Sequence, residues 1–72
     1  MKKVCVFLAD GFETIEGLTT VDVLRRAGVE VDTVSIQETK TVTTSHGISL
    51  QADKLFDEVD YTEKDMIVLP GG

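Results

Sequence analysis

Three carboxylates carry the chemistry that this chain can be read for. Asp10, Glu13 and Glu16 follow an apolar run, Val4 to Ala9, within the segment Lys3 to Gly28, KVCVFLADGFETIEGLTTVDVLRRAG. The run is continuously apolar, as a strand buried on both faces reads. Asp10-Gly11 ends it. A helix is expected from near Phe12 or Glu13 to Ala27, with Gly28 just past its C-terminus. Glu13 and Glu16 then stand in the first turn and Arg25 and Arg26 in the last, as the helix dipole favours. At about 100° per residue, Glu16 shares a line with Thr20, Val23 and Ala27, inside the apolar arc that holds Leu18, Val21 and Leu24. Glu13 falls in the same arc. A carboxylate on the buried side of a helix is costly unless it is hydrogen-bonded or used. The phasing therefore points Glu13 and Glu16 inward, toward an acid/base or hydrogen-bonding role. The plain alternative is a pair of half-solvated first-turn acids. Phosphate is disfavoured, because it needs bare backbone N–H groups and this loop has one glycine and three carboxylates.

The other candidates are weaker. Met66-Ile67-Val68-Leu69 reads as a buried strand ended by Pro70-Gly71-Gly72. Paired glycines there can turn N–H groups toward a developing oxyanion, or can simply make a tight turn. Cys5 lies mid-strand, too early for a nucleophile, and reads as an inert packing residue. His46 is a lone histidine with no second His or Cys at ligand spacing, so no metal site is expected. Asp22 and Arg26 are an i, i+4 surface ion pair.

Several elements must position these residues. Val29 to Ile36 alternates as a second strand near an edge. Strand, helix and strand in this order imply a right-handed crossover and parallel pairing. Thr41 to Thr44 and Ile48 to Leu50 flank Ser45-His46-Gly47 as a small hairpin. Asp53 is placed to cap a short helix over Lys54 to Val59, and Tyr61 to Asp65 is a polar loop. The order is strand, helix, strand, hairpin, short helix, strand. In a doubly wound sheet the first and last of these strands flank the switch point, so Asp10-Gly11 and Pro70-Gly71-Gly72 should line one crevice.

Composition narrows the classes. The chain has 72 residues, 42% of them hydrophobic, and a net charge of −6 with no basic cluster. That opposes nucleic-acid and anionic-membrane partners. No run is long enough for a membrane span or a secretory leader. One cysteine excludes an internal disulfide framework, so a reducing, cytoplasmic setting is expected. A chain this short buries only roughly 60% of its unfolded surface. The last strand would also be an unprotected edge. The 72 residues are therefore expected to be the N-terminal part of one larger domain, completed by the remainder of that domain.

Four collinear segments, VFLADGFETIE, TTVDVLRRAGVEV, TSHGI and DMIVLPGG, together resemble the ThiJ/PfpI superfamily. They are most similar to its branch containing the Parkinsonism-associated protein and bacterial ThiJ-like chaperone/deglycase proteins. The resemblance implies a flavodoxin-like α/β parallel-sheet sandwich of the class I glutamine amidotransferase-like kind, in a homodimer, with no cofactor. It implies a cysteine nucleophile at a strand–helix elbow beyond the PGG turn. Glu16 would hydrogen-bond that cysteine, and the backbone N–H groups of Gly71 and Gly72 would face the oxyanion. Glu13 would lie near the pocket and dimer interface, and Arg26 close to the cleft at that interface. His46 stands where close relatives often have arginine. The implied activity is attack on small reactive carbonyls or glycation adducts through a thiohemiacetal. Peptidase or amidase action on peptides is the enzymatic alternative. A redox-sensing chaperone without turnover, or a plain flavodoxin-like binding module, is the alternative from another class.

Overall fold

The computed structural model describes residues 2–70; Met1, Gly71 and Gly72 lie outside the described residues. Strand β1 spans Lys3–Leu8, helix α1 Thr14–Arg26 and strand β2 Glu30–Ser35. Strands β3 (Thr41–Thr43) and β4 (Ser49–Gln51) form the hairpin. Strands β5 (Lys54–Leu55) and β6 (Met66–Val68) follow. The main sheet has the order β5-β2-β1-β6 with every pair parallel. The expected switch between the first strand and the strand before Pro70 is therefore present, between β1 and β6.

β1 is central because both its faces are covered. Val4, Val6 and Leu8 pack with Val31, Phe12 and Val21 in one cluster beneath α1. On the other face Phe7, Phe56 and Tyr61 form an aromatic group with ring centroids 5.2–5.9 Å apart. The Tyr61 hydroxyl donates to the Phe56 carbonyl at 2.8 Å. This satisfies its polar end while the ring stays among carbon. Cys5 is fully buried in β1, opposite Asp32 and Ile67 in register. Burial raises its thiol above the ordinary value, which suits the inert role expected of it.

α1 ends as its sequence requires. Gly28 has φ +83°. Its N–H donates to the Arg25 carbonyl and that of Val29 to the Leu24 carbonyl, both at 3.1 Å. This is the Schellman closure, which needs a left-handed residue after the cap. The inward phasing of Glu16, however, is not what the helix adopts. Gly17 and Val21 are its buried residues, Glu16, Val23 and Ala27 are exposed, and Thr20 is half-buried. The reason is Gly17. A Cβ there would lie 2.6 Å from Phe12 Cε2, so the bare Cα is what presses onto the core. Hydrophobic phasing gives a glycine no weight and so placed the arc off the true contact line.

Two further expectations are corrected. Asp53 does not cap a helix over Lys54 to Val59. Its Oδ2 accepts from Thr33 N–H at 3.0 Å, Thr33 Oγ1 at 3.0 Å and Arg25 Nη2 at 2.9 Å. With that oxygen committed to β2 and α1, the next residues extend as β5, and only Phe56–Glu58 coil as one 3₁₀ turn. Tyr61–Glu63 is a second 3₁₀ turn, capped by Asp60. β6 forms the sheet edge expected of it among the described residues, but its side chains, read as buried, are largely not. Met66 and Ile67 are about half exposed and Leu69 is 74% exposed.

The crossover to β6 is pinned by a charge cluster. Lys64 Nζ donates to Asp32 Oδ2 at 2.8 Å, and Lys54 Nζ lies 3.3 Å from the same oxygen. Burial raises the Asp32 carboxyl, but the hydrogen bonds and charges of Lys64 and Lys54 outweigh it and hold it below the usual range. A depressed acid stabilises the fold fully above its unfolded value of about 3.9, and that stability is lost as pH falls through the folded value. Asp32→Asn is expected to lower the urea midpoint at neutral pH and to flatten its decline on acidification. Gly28→Ala is expected to cost about 1–2 kcal/mol in the same measurement, for forcing a Cβ into the left-handed region.

Candidate active site

The turn between β1 and α1 is fastened to the hairpin along its length. Asp10 Oδ1 accepts from Thr43 N–H at 2.9 Å and Gly11 N–H donates to the Thr43 carbonyl at 2.8 Å. Ser45 N–H donates to the Phe12 carbonyl at 2.9 Å. Thr14 Oγ1 and His46 Nδ1 lie 3.0 Å apart. The hairpin can reach this far because Gly47, at φ +78°, closes its tip. Thr44 Oγ1 accepts from the N–H groups of His46 and Ile48 at 3.2 Å each and so stiffens that tip.

Beside this turn a cleft of ≈ 280 Å³ opens between Ala9, Asp10, Gly11 and Phe12 on one side and Leu69 and Pro70 on the other. It lies at the C-terminal ends of β1 and β6, where parallel sheets take their ligands. A Cβ built on Gly17 would also be 3.6 Å from Pro70 Cγ, so the first half of α1 comes down on the end of β6.

The structure brings some of the expected residues together and separates others. Glu13 is half-buried and caps α1, its Oε1 accepting from Ile15 N–H at 3.1 Å. Glu16 is in the first turn, exposed, one residue before the glycine that meets Phe12 and Pro70. His46 sits against the first residue of the same helix. These three therefore share the N-terminal end of α1. Asp10 lines the cleft, but its carboxylate is occupied with Thr43 and with Gln37 Nε2 at 3.3 Å. Arg26 is ten residues beyond Glu16, about 15 Å along the helix axis. It holds the expected pair with Asp22 at 3.1 Å, and both side chains are largely exposed. Gly71 and Gly72 lie outside the described residues. Among the described residues no three His, Cys, Asp or Glu side chains converge as metal ligands. No described helix is long and apolar enough to cross a membrane.

Sequence reasoning missed Gln37 and Thr43. Their bonds to Asp10 span 27 and 33 residues, and nothing in the polar connection after β2 singles them out.

The sequence matches the DJ-1/PfpI family profile over residues 2–72. The chain belongs to the DJ-1/PfpI family. An archaeal relative named as a deglycase, from Thermococcus kodakarensis, is 43% identical over 97% of this chain and 42% of its own length. A Bacillus subtilis relative, named as a candidate cysteine protease, is 35% identical over 99% of this chain and 42% of its own. The structure of oxidized Toxoplasma gondii DJ-1 superposes with a TM-score of 0.95 and 42% identity, over 100% of this chain and 39% of that one. The flavodoxin-like α/β fold of DJ-1 proteins is thus shown, and the chain spans well under half the length of each of these relatives.

The Phe12–Gly17 contact is what seats the DJ-1/PfpI acidic turn beside Pro70. Gly17→Ala is expected to destabilise by about 1–3 kcal/mol, the range for overpacking a close contact. A thermal unfolding midpoint equal to that of the unchanged protein would show that Phe12 yields without cost.

Proposed function

We propose that this chain contributes the carboxylate side of a cysteine-dependent DJ-1/PfpI-type site that acts on reactive carbonyls or glycation adducts. The observation that supports it most is the approach of α1 to Pro70 through Gly17. It places the turn carrying Glu16 next to the end of β6, at the switch point of the sheet. The deglycase name of the archaeal relative supports the same class of substrate. Cys5 is fully buried in mid-strand and does not serve as the nucleophile. We place the nucleophile outside these residues, in the remainder of the same domain.

The chemistry is simple to balance. A thiolate sulfur bonds to the carbonyl carbon, the C=O π pair moves to oxygen, and that oxygen takes a proton to give a thiohemiacetal. Glu16 is the carboxyl that hydrogen-bonds the sulfur and exchanges that proton. Gly71 and Gly72 supply backbone N–H groups to the developing oxyanion. Glu13 and His46 form the rim at the helix N-terminus. Arg26, at the far end of α1, acts only across a homodimer interface. The working setting is the cytoplasm. Peptide hydrolysis is the second reading, and the name of the Bacillus subtilis relative favours it.

Turnover of methylglyoxal against a peptide substrate by the full-length protein divides the two readings. Turnover of neither leaves a redox-sensing chaperone or a plain flavodoxin-like binding module. Glu16→Gln is expected to raise the thiol pKa or slow its alkylation, and to lower turnover by about 10²-fold or more. An unchanged thiol titration removes Glu16 from the site.

A further inference from the structure

We propose that Asp10 and Gln37 are positioning residues, a carboxylate–carboxamide clamp that fixes the turn after β1 and thereby aims the acidic end of α1. The proposal rests on the reading of Glu16 given above and adds to it what holds that residue in place.

The clamp uses both ends of the Gln37 carboxamide, one on the backbone and one on the side chain of Asp10. Gln37 Oε1 accepts from Asp10 N–H, and Gln37 Nε2 donates to Asp10 Oδ1 at 3.3 Å. The same Oδ1 accepts from Thr43 N–H at 2.9 Å. Gly11 N–H returns a bond to the Thr43 carbonyl at 2.8 Å. Residues 10–11 are thus gripped on one side by the chain leaving β2 and on the other by β3.

The turn needs this grip. Gly11 has φ +88°, and a Cβ built on it would meet nothing within 4 Å. No side-chain packing fixes the residue, and glycine itself permits many conformations. Without the clamp the turn ahead of Glu13 and Glu16 keeps only its backbone bonds, Gly11 N–H to the Thr43 carbonyl, Phe12 N–H to the Ala9 carbonyl and Ser45 N–H to the Phe12 carbonyl. With it, the hairpin, the turn and the first residue of α1 form one row of bonds, from Gln37 to the Thr14–His46 contact. A displacement of about 1 Å in a site of this kind costs on the order of 10²-fold in rate.

The chemistry of the clamp requires an acceptor at Oδ1, not a charge. Thr43 N–H and Gln37 Nε2 both address that one oxygen, and an amide oxygen can accept both. A role in contacting substrate through charge would fail in the amide. The two roles are therefore separable by one atom.

The test uses the full-length protein. Asp10→Ala is expected to lower kcat by about tenfold or more with a smaller change in KM, and to speed amide exchange at Thr43 by a similar factor. Asp10→Asn is expected to restore both. An Asp10→Asn variant as impaired as Asp10→Ala overturns the proposal, because charge and not geometry is then what matters. If Asp10→Ala does not fold, Gln37→Ala carries the test: it leaves the Asp10–Thr43 bond in place but frees Asp10 N–H, so a lowered kcat with faster exchange at the Asp10 amide is expected, and normal values for both overturn the clamp. Should Glu16→Gln impair turnover while Asp10→Ala does not, the clamp alone falls. Should Glu16→Gln leave thiol titration and turnover unchanged, the reading of the site falls, and the clamp is decided by Thr43 exchange, which overturns it if unchanged.

Discussion

Everything at the cleft depends on one contact between a ring and a missing side chain. Phe12 lies against the bare Cα of Gly17, and Pro70 closes on the same spot. The loop after β1, the middle of α1's first half and the end of β6 therefore meet at a point where any added carbon would have to push something aside. Interiors are packed too densely to absorb such a change freely. Phe12 and Gly17 are near neighbours in sequence and Pro70 lies far along the chain, and this contact fixes the three segments relative to one another. Glu13 and Glu16 inherit their positions from it, since both precede the glycine within about one turn, Glu13 as the cap of α1 and Glu16 next to the glycine.

The two faces of the sheet are then latched separately by acids on or beside β2. On the helix side, Asp53 gathers Thr33 and Arg25, and Arg25 also donates to the Val31 carbonyl at 3.0 Å. On the other side, Asp32 gathers Lys64, whose side chain is only 7% exposed, and Lys54. Each latch holds a crossover against the strand it must pass. A small fold with few fully buried side chains has little apolar area to do this alone. Charge-assisted hydrogen bonds at half-covered positions give each segment a fixed address as well as some stability.

Much of this was legible in the residues. The apolar run Val4 to Ala9, the helix stop at Gly28 and the hairpin about Gly47 were all marked by local chemistry, and the structure places them where that chemistry requires. Parallel pairing followed from the right-handed crossover rule, and the switch point from the doubly wound arrangement. What misled was the weight of glycine and the reach of aspartate. Gly17 carries no hydrophobicity, yet it is the contact point of α1, so Glu16 was read as inward and is exposed. Asp53 precedes a helix-like stretch, but its oxygen is committed to Thr33, twenty residues away. Asp10 has the same character, a local acid whose partners are distant. Side chains that bond across the fold leave no periodic trace, and no reading of neighbours recovers them.

The two edges of the main sheet are not equivalent. On the β5 side the edge is two residues long, followed at once by a 3₁₀ turn, with the Glu58 carboxylate accepting the Leu55 N–H at 2.7 Å. A backbone donor already engaged offers nothing to an incoming strand. On the β6 side the described edge is apolar, with Met66, Ile67 and Leu69 turned largely to solvent. The sheet is thus a one-way template. It is sealed where β5 ends the order and, among the described residues, unpaired beside Pro70, so that the border next to the cleft is the one open to a further parallel strand.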